Sequence, residues 1–234
     1  MIPESPGFFL AAGPREKGYN ISIMKLSDRI RQHPVAAVIL LYAIYTSLFF
    51  LIEQLDLPAR WTIVCPLDEL IPFVPQAVIP YCLWHIELAV FLLGFLRYQP
   101  REEFLRAALT MWAGMMTALV FYLIVPNEIH LRPAAITGSG FSVALTRLIW
   151  TLDNTKNVCP SIHVISALIM NEETVRVFHS HALKIGVTLL NAAIIVATML
   201  LKQHSIIDVL AAFVWTAAVL AVRQVCFLSR NTGK

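Results

Sequence analysis

The sequence predicts an all-α membrane protein, a bundle of six transmembrane helices with both termini in the cytoplasm. Three observations lead there. The 234 residues are 58% hydrophobic and only 14% charged, where a soluble domain has about 45–50% and about 25%. The mean hydropathy is +0.69. The apolar residues also gather into runs near the roughly 20 residues that cross a ~30 Å hydrocarbon layer.

The runs divide the chain into a cytoplasmic tail (1–33), a membrane catalytic domain (34–223) and a second cytoplasmic tail (224–234). Val35 to Ile52, Ala107 to Val125 and Ile185 to Leu201 are long and free of formal charge. Ala77 to Leu96 carries His85 and Glu87, and Ser205 to Val222 carries Asp208. The sixth run starts at Pro160 and is the weakest, because Asn171, Glu172 and Glu173 follow Met170. Parity requires it, and a helix lined by neighbours need not be apolar all round. The expected spans are therefore about 35–52, 77–96, 107–125, 160–178, 185–201 and 205–222.

Basic residues orient this bundle. Thirteen of eighteen fall on one side, including Arg15, Lys17, Lys25, Arg29 and Arg31 before the first span and Arg223, Arg230 and Lys234 after the last. That side should be cytoplasmic, which fits a multi-pass protein of the plasma (cytoplasmic) membrane. Arg60, Arg132, Arg147, Lys156 and Lys202 remain on the outer side. A net charge of +3 is too small to suggest nucleic acid as a partner.

Two outer connections are conspicuous. Residues 53–76 are rich in proline and acids, with Trp61 and Phe73 suited to the interface. Residues 126–159 hold Arg132-Pro133, a flexible Thr137-Gly138-Ser139-Gly140, an amphipathic piece from Phe141 to Leu152, and Asp153-Asn154. A connection of that length on a compact bundle is more often functional than idle. Cys65 and Cys159 share the outer side and could pair, although unpaired small apolar residues are the expectation. The four cysteines lack metal-ligand spacing, and no His/Cys/Glu cluster offers a metal a home; no metal and no cofactor is expected.

The chemistry-bearing strings are Pro160-Ser161-Ile162-His163 and Lys202-Gln203-His204-Ser205-Ile206-Ile207-Asp208. Both stand at span ends on the outer side. His204 and Asp208 are four residues apart, a spacing that shares one face of a helix. A carboxylate behind an imidazole fixes its tautomer and raises its basicity, leaving the other nitrogen as nucleophile or base. Lys202 would add a cation at the aqueous lip. Pro160 suits the first turn of a helix, and Ser161 and Ile162 offer amides to an anion there. His163, just inside that turn, is placed to donate a proton to a leaving oxygen. A lone histidine at a span end is ordinarily an interfacial residue. Two such strings on one side, with Arg132 and Lys202 breaking the charge rule beside them, are less ordinary.

These residues resemble the type-2 phosphatidic acid phosphatase superfamily, in the branch of inositol phosphorylceramide synthases. There, a block ending Arg-Pro, a Pro-Ser-x-His block and a block ending His-x-x-x-Asp occur in the order Arg132-Pro133, Pro160 to His163, His204 to Asp208. The Lys202-Gln203 lead-in and Leu67-Asp68…Ile71-Pro72-Phe73 fit the synthase-like branch. The chain departs from the pattern at Ile162, where glycine is common, and at Val125 and Thr198, where cations are usual. The resemblance implies a metal-independent hydrolase or phosphotransferase of lipid metabolism acting at the extracytoplasmic face. His204 would form a phosphohistidine, Asp208 would orient it, and His163 would protonate the departing alcohol. Arg132, Lys202 and Ser161 would hold the phosphoryl oxygens of a lipid phosphate in the bilayer.

Three functions remain open. The first is a lipid-phosphate phosphatase, the second a transferase moving a phospho-head group to a lipid or polyol. The third is a non-catalytic lipid transporter or scaffold. His85 and Glu87 either line a substrate path or make interhelical hydrogen bonds, for instance to Asn171 or Asn191.

Overall fold

The computed structural model describes residues 32–55 and 57–232. The basic residues expected before the first span, Arg15 to Arg31, lie outside them, as does nearly all of the N-terminal tail. The structure is 74% helical, and among the described residues five helices are long and apolar enough to cross a membrane. This is an all-α integral membrane protein.

The elements follow in order: α1 (Pro34–Gln54), β1 (Trp61–Thr62), two 3-10 turns (Pro66–Leu70 and Pro75–Ala77), α2 (Val78–Tyr98), α3 (Arg101–Ile124), β2 (Asn127–Glu128), α4 (Phe141–Leu152), α5 (Ile162–Val177), α6 (His181–Leu200) and α7 (Ile206–Thr232). Local chemistry sets most starts. Pro34 opens α1, where its missing N–H costs nothing. Pro100 precedes α3, whose first turn carries Glu102 and Glu103 against the positive end of the helix dipole. Ser161 and Ser180 cap α5 and α6, their hydroxyls accepting from the amides of Val164 and Leu183. The amphipathic outer piece is α4, with the residue bounds expected. Helix α7 continues to Thr232, through most of the segment expected as a separate tail.

Helix α5 has 16 residues and is not among the five. It is the inner element of the bundle, packed on α3, α6 and α7. Ile165, Ile169 and Met170 are fully buried, and Gly114 of α3 lets Ile165 and Ile169 approach its backbone. The acids that weakened this run have partners at its end. Glu173 is fully buried and takes Arg176 and Arg223, Glu172 takes Arg223 at 2.9 Å, and Arg176 also reaches Glu103 at 2.9 Å. These contacts tie α3, α5 and α7 together at one end of the bundle. In the spans, Glu87 of α2 accepts from Asn191 of α6 at 2.8 Å, the interhelical alternative for that residue. His85 is exposed beside Trp84.

The opposite end is built from the connections before α2 and between α3 and α5. Strands β1 and β2 pair in parallel, Trp61 with Asn127 and Thr62 with Glu128. Asn127 then organises the approach to α5. Its Oδ1 accepts from the amides of Val158 and Cys159 at 2.9 Å, and its Nδ2 donates to the Cys159 carbonyl at 3.0 Å. Tyr122 donates to the Pro160 carbonyl at 2.6 Å.

Candidate active site

The turn between α6 and α7 positions His204. Lys202 adopts the left-handed conformation, φ 55°, a common way for a helix to stop. The amides of Gln203 and His204 then turn back to the Thr198 carbonyl at 3.0 and 3.2 Å. His204 thus lies on the turn, not on the helix, and shared helix-face geometry is not what unites it with Asp208. A capping box does. Ser205 accepts from the Ile207 amide at 3.2 Å, while Asp208 Oδ2 accepts from the Ser205 amide at 2.8 Å. The same Oδ2 stands 3.4 Å from His204 Nδ1. Asp208 is fully buried and His204 is 7% exposed.

Helix α5 brings His163 to the same place. Its ring lies 5.8 Å from that of His204, centre to centre and edge-on. The Ser161 amide donates to the Asp208 carbonyl at 3.3 Å, joining the starts of α5 and α7 directly. Two side chains of α2 flank His163, Tyr81 at 4.7 Å and Trp84 at 4.4 Å between centroids. Trp84 donates to Ser166 at 2.8 Å and Tyr81 to Asp153 at 2.7 Å. Nothing local in the second span marks Tyr81 or Trp84 as neighbours of a histidine far along the chain.

The residues expected at phosphate are placed as follows. Lys202 is 8% exposed and not at an aqueous lip; its ammonium donates to the carbonyls of Asp68 at 2.7 Å and Ile71 at 2.5 Å. Arg132 donates to the carbonyls of Trp150 (3.1 Å), Asp153 (2.6 Å) and Asn154 (3.2 Å) and to Gln203 Oε1, with its guanidinium 5.2 Å from the Trp150 ring centre. Burial lowers its basicity, and Asp153 opposes that shift. Through Gln203, Arg132 is attached to the residue before His204. Ser161 is fully buried, with its hydroxyl engaged as the cap of α5. Next to it the amides of Ile162 and His163, in the first turn, have no carbonyl within the helix to bond.

Asp68 is the residue that sequence reasoning did not assign to the site. It is 1% exposed, and its carboxylate accepts from Ser205 Oγ at 2.6 Å and the Ile206 amide at 2.9 Å. Cys65 and Cys159 are free thiols. Burial, and then the Asp208 carboxylate, push the Cys159 thiol up to about 12. Among the described residues no three histidine, cysteine or acidic side chains converge as a metal-ligand set. No family model matches this chain, and no curated protein matches it either.

Proposed function

We propose that the protein is a multi-pass membrane enzyme that cleaves a phosphomonoester or diphosphate of a lipid through a phosphohistidine. One observation carries this reading: two imidazoles from separate helix starts meet 5.8 Å apart, and one of them has a buried carboxylate at its Nδ1. With Asp208 at Nδ1, His204 presents Nε2 to phosphorus. The N–P bond forms as the P–O bond to the leaving group breaks, the lipid alcohol of a monoester or the lipid phosphate of a diphosphate, and His163 gives its proton to that oxygen. Water then attacks phosphorus, its proton passes to His163, and the N–P bond breaks.

Charge growing on the phosphoryl oxygens needs donors that are already in place. The first-turn amides of α5 are suited to that. Of the residues given to phosphate by the family resemblance, Arg132 and Lys202 already spend donors on carbonyls, and the Ser161 hydroxyl accepts from the Val164 amide as the α5 cap. Their contribution would be positive charge and a fixed frame.

With α5 counted as a sixth crossing, both termini share one side, read as the cytoplasm, and the starts of α5 and α7 share the other, read as the extracytoplasmic face of the plasma membrane. The distribution of basic residues supports this orientation. A second reading, transfer of the phosphoryl head group to a lipid or polyol alcohol, is favoured by burial: His204 is 7% exposed and His163 is walled by Tyr81 and Trp84, which restricts water at the N–P bond.

The test is phosphate release from a panel of lipid phosphates by detergent-purified protein, with a chelator and with His204→Ala and His163→Ala. Chelator-resistant release that falls at least about a thousandfold in each variant is expected. Release only into a supplied alcohol would establish transfer. Undiminished turnover in either variant would remove the histidine mechanism, and no turnover of any kind would leave a non-catalytic bundle.

A further inference from the structure

We infer that Asp68 is a positioning residue, which aims His204 from the first outer connection; this rests on His204 being the reacting group. His204 is bracketed by two attachments to the turn Pro66–Leu70 and the residue after it. On one side the Lys202 ammonium is held by the carbonyls of Asp68 and Ile71. On the other the Asp68 carboxylate takes the Ser205 hydroxyl at 2.6 Å and the Ile206 amide at 2.9 Å. A further main-chain bond, from the Val74 amide to the Leu200 carbonyl at 3.0 Å, ties the same connection to the end of α6.

Helix stability alone does not call for this arrangement. The start of α7 already has a serine cap and a reaching acid, Asp208. Burying a second carboxylate is costly unless donors surround it, and a non-glycine residue at φ 55° needs its surroundings to hold it there. The start of α7 supplies the donors to Asp68, and the turn of Asp68 supplies the carbonyls that hold Lys202. Its effect runs through a short relay. Asp68 holds the Ser205 hydroxyl, the Ser205 amide holds Asp208 Oδ2, and that oxygen faces His204 Nδ1. Loosening the first link frees the last.

Two readouts test this on the full-length protein in detergent. The first is the ¹⁵N resonance of the His204 ring at fixed pH in histidine-labelled protein, assigned with His204→Gln, which reports the tautomer. The second is the separation of kcat from KM on the best lipid phosphate of the panel. Asp68→Asn keeps the size but cannot accept from both donors, and Ser205→Ala cuts the same relay from its other end. In both, the Nδ1 resonance should move toward that of an averaged tautomer, and kcat should fall about a hundredfold with KM within about twofold. Asp68→Glu, which restores the carboxylate, should recover part of both. An unmoved His204 resonance in folded Ser205→Ala overturns the proposal, whether or not Asp68→Asn folds. A moved resonance in a protein whose wild type turns over no substrate would sustain the positioning and sink the catalytic reading.

Discussion

Asp208 Oδ2 serves two neighbours at once, accepting from the Ser205 amide at 2.8 Å and facing His204 Nδ1 at 3.4 Å. The atom that completes the start of α7 is therefore the atom that orients the imidazole. Helix initiation and histidine geometry are one structural event here.

Asp208→Asn retains an oxygen for the Ser205 amide but loses the charge beside His204. Stability should change by less than about 1 kcal/mol, while turnover falls by about a thousandfold or more because the tautomer is no longer fixed. Thermal unfolding and turnover on the same preparation check this. Parallel loss of both would mean that Asp208 matters only as a cap.

Glu87 and Asn191 form a buried interhelical hydrogen bond. Glu87→Gln should leave turnover within about twofold, and Glu87→Leu should cost about 0.6–1.7 kcal/mol, the range for such bonds inside membranes. A sharp fall in turnover at unchanged stability would instead put Glu87 on the substrate path.

At the opposite end, Arg223 serves both Glu172 and the fully buried Glu173. Arg223→Met takes away one of the arginines that pair with Glu173 and should destabilise the protein by about 3 kcal/mol. The double variant Arg223→Met/Glu173→Leu should recover most of it. Thermal unfolding of the two proteins side by side decides the matter.

With its thiol at about 12, Cys159 should resist maleimide at pH 8, where on the order of one molecule in ten thousand is thiolate. Exposed Cys226 should label first. The folded chain keeps the Cys159 proton while the unfolded chain releases it, so this group's contribution to stability declines as pH rises from about 9 to about 12. Rapid labelling of Cys159 at pH 8, read by peptide mass, would show that the loops around Asn127 and Cys159 open.

The class of protein, and the places where polar residues interrupt its apolar runs, are readable from composition and order alone. Apolar composition, run length and the Phe141–Leu152 pattern depend on neighbours in the chain, so they are legible without coordinates. So is the pairing of His204 with Asp208, although for a different reason than helix-face spacing: Ser205-Ile206-Ile207-Asp208 has the pattern of a capping box. Tertiary structure decided what surrounds those residues. Tyr81 and Trp84 beside His163, Lys202 turned into carbonyls, and Asp68 on the start of α7 are contacts between segments far apart in sequence. It also decided how the acids at the end of α5 are tolerated, by bringing Arg223 from α7. Local spacing carries no record of such partners, because a buried charge or ring is satisfied by whichever element the fold lays against it.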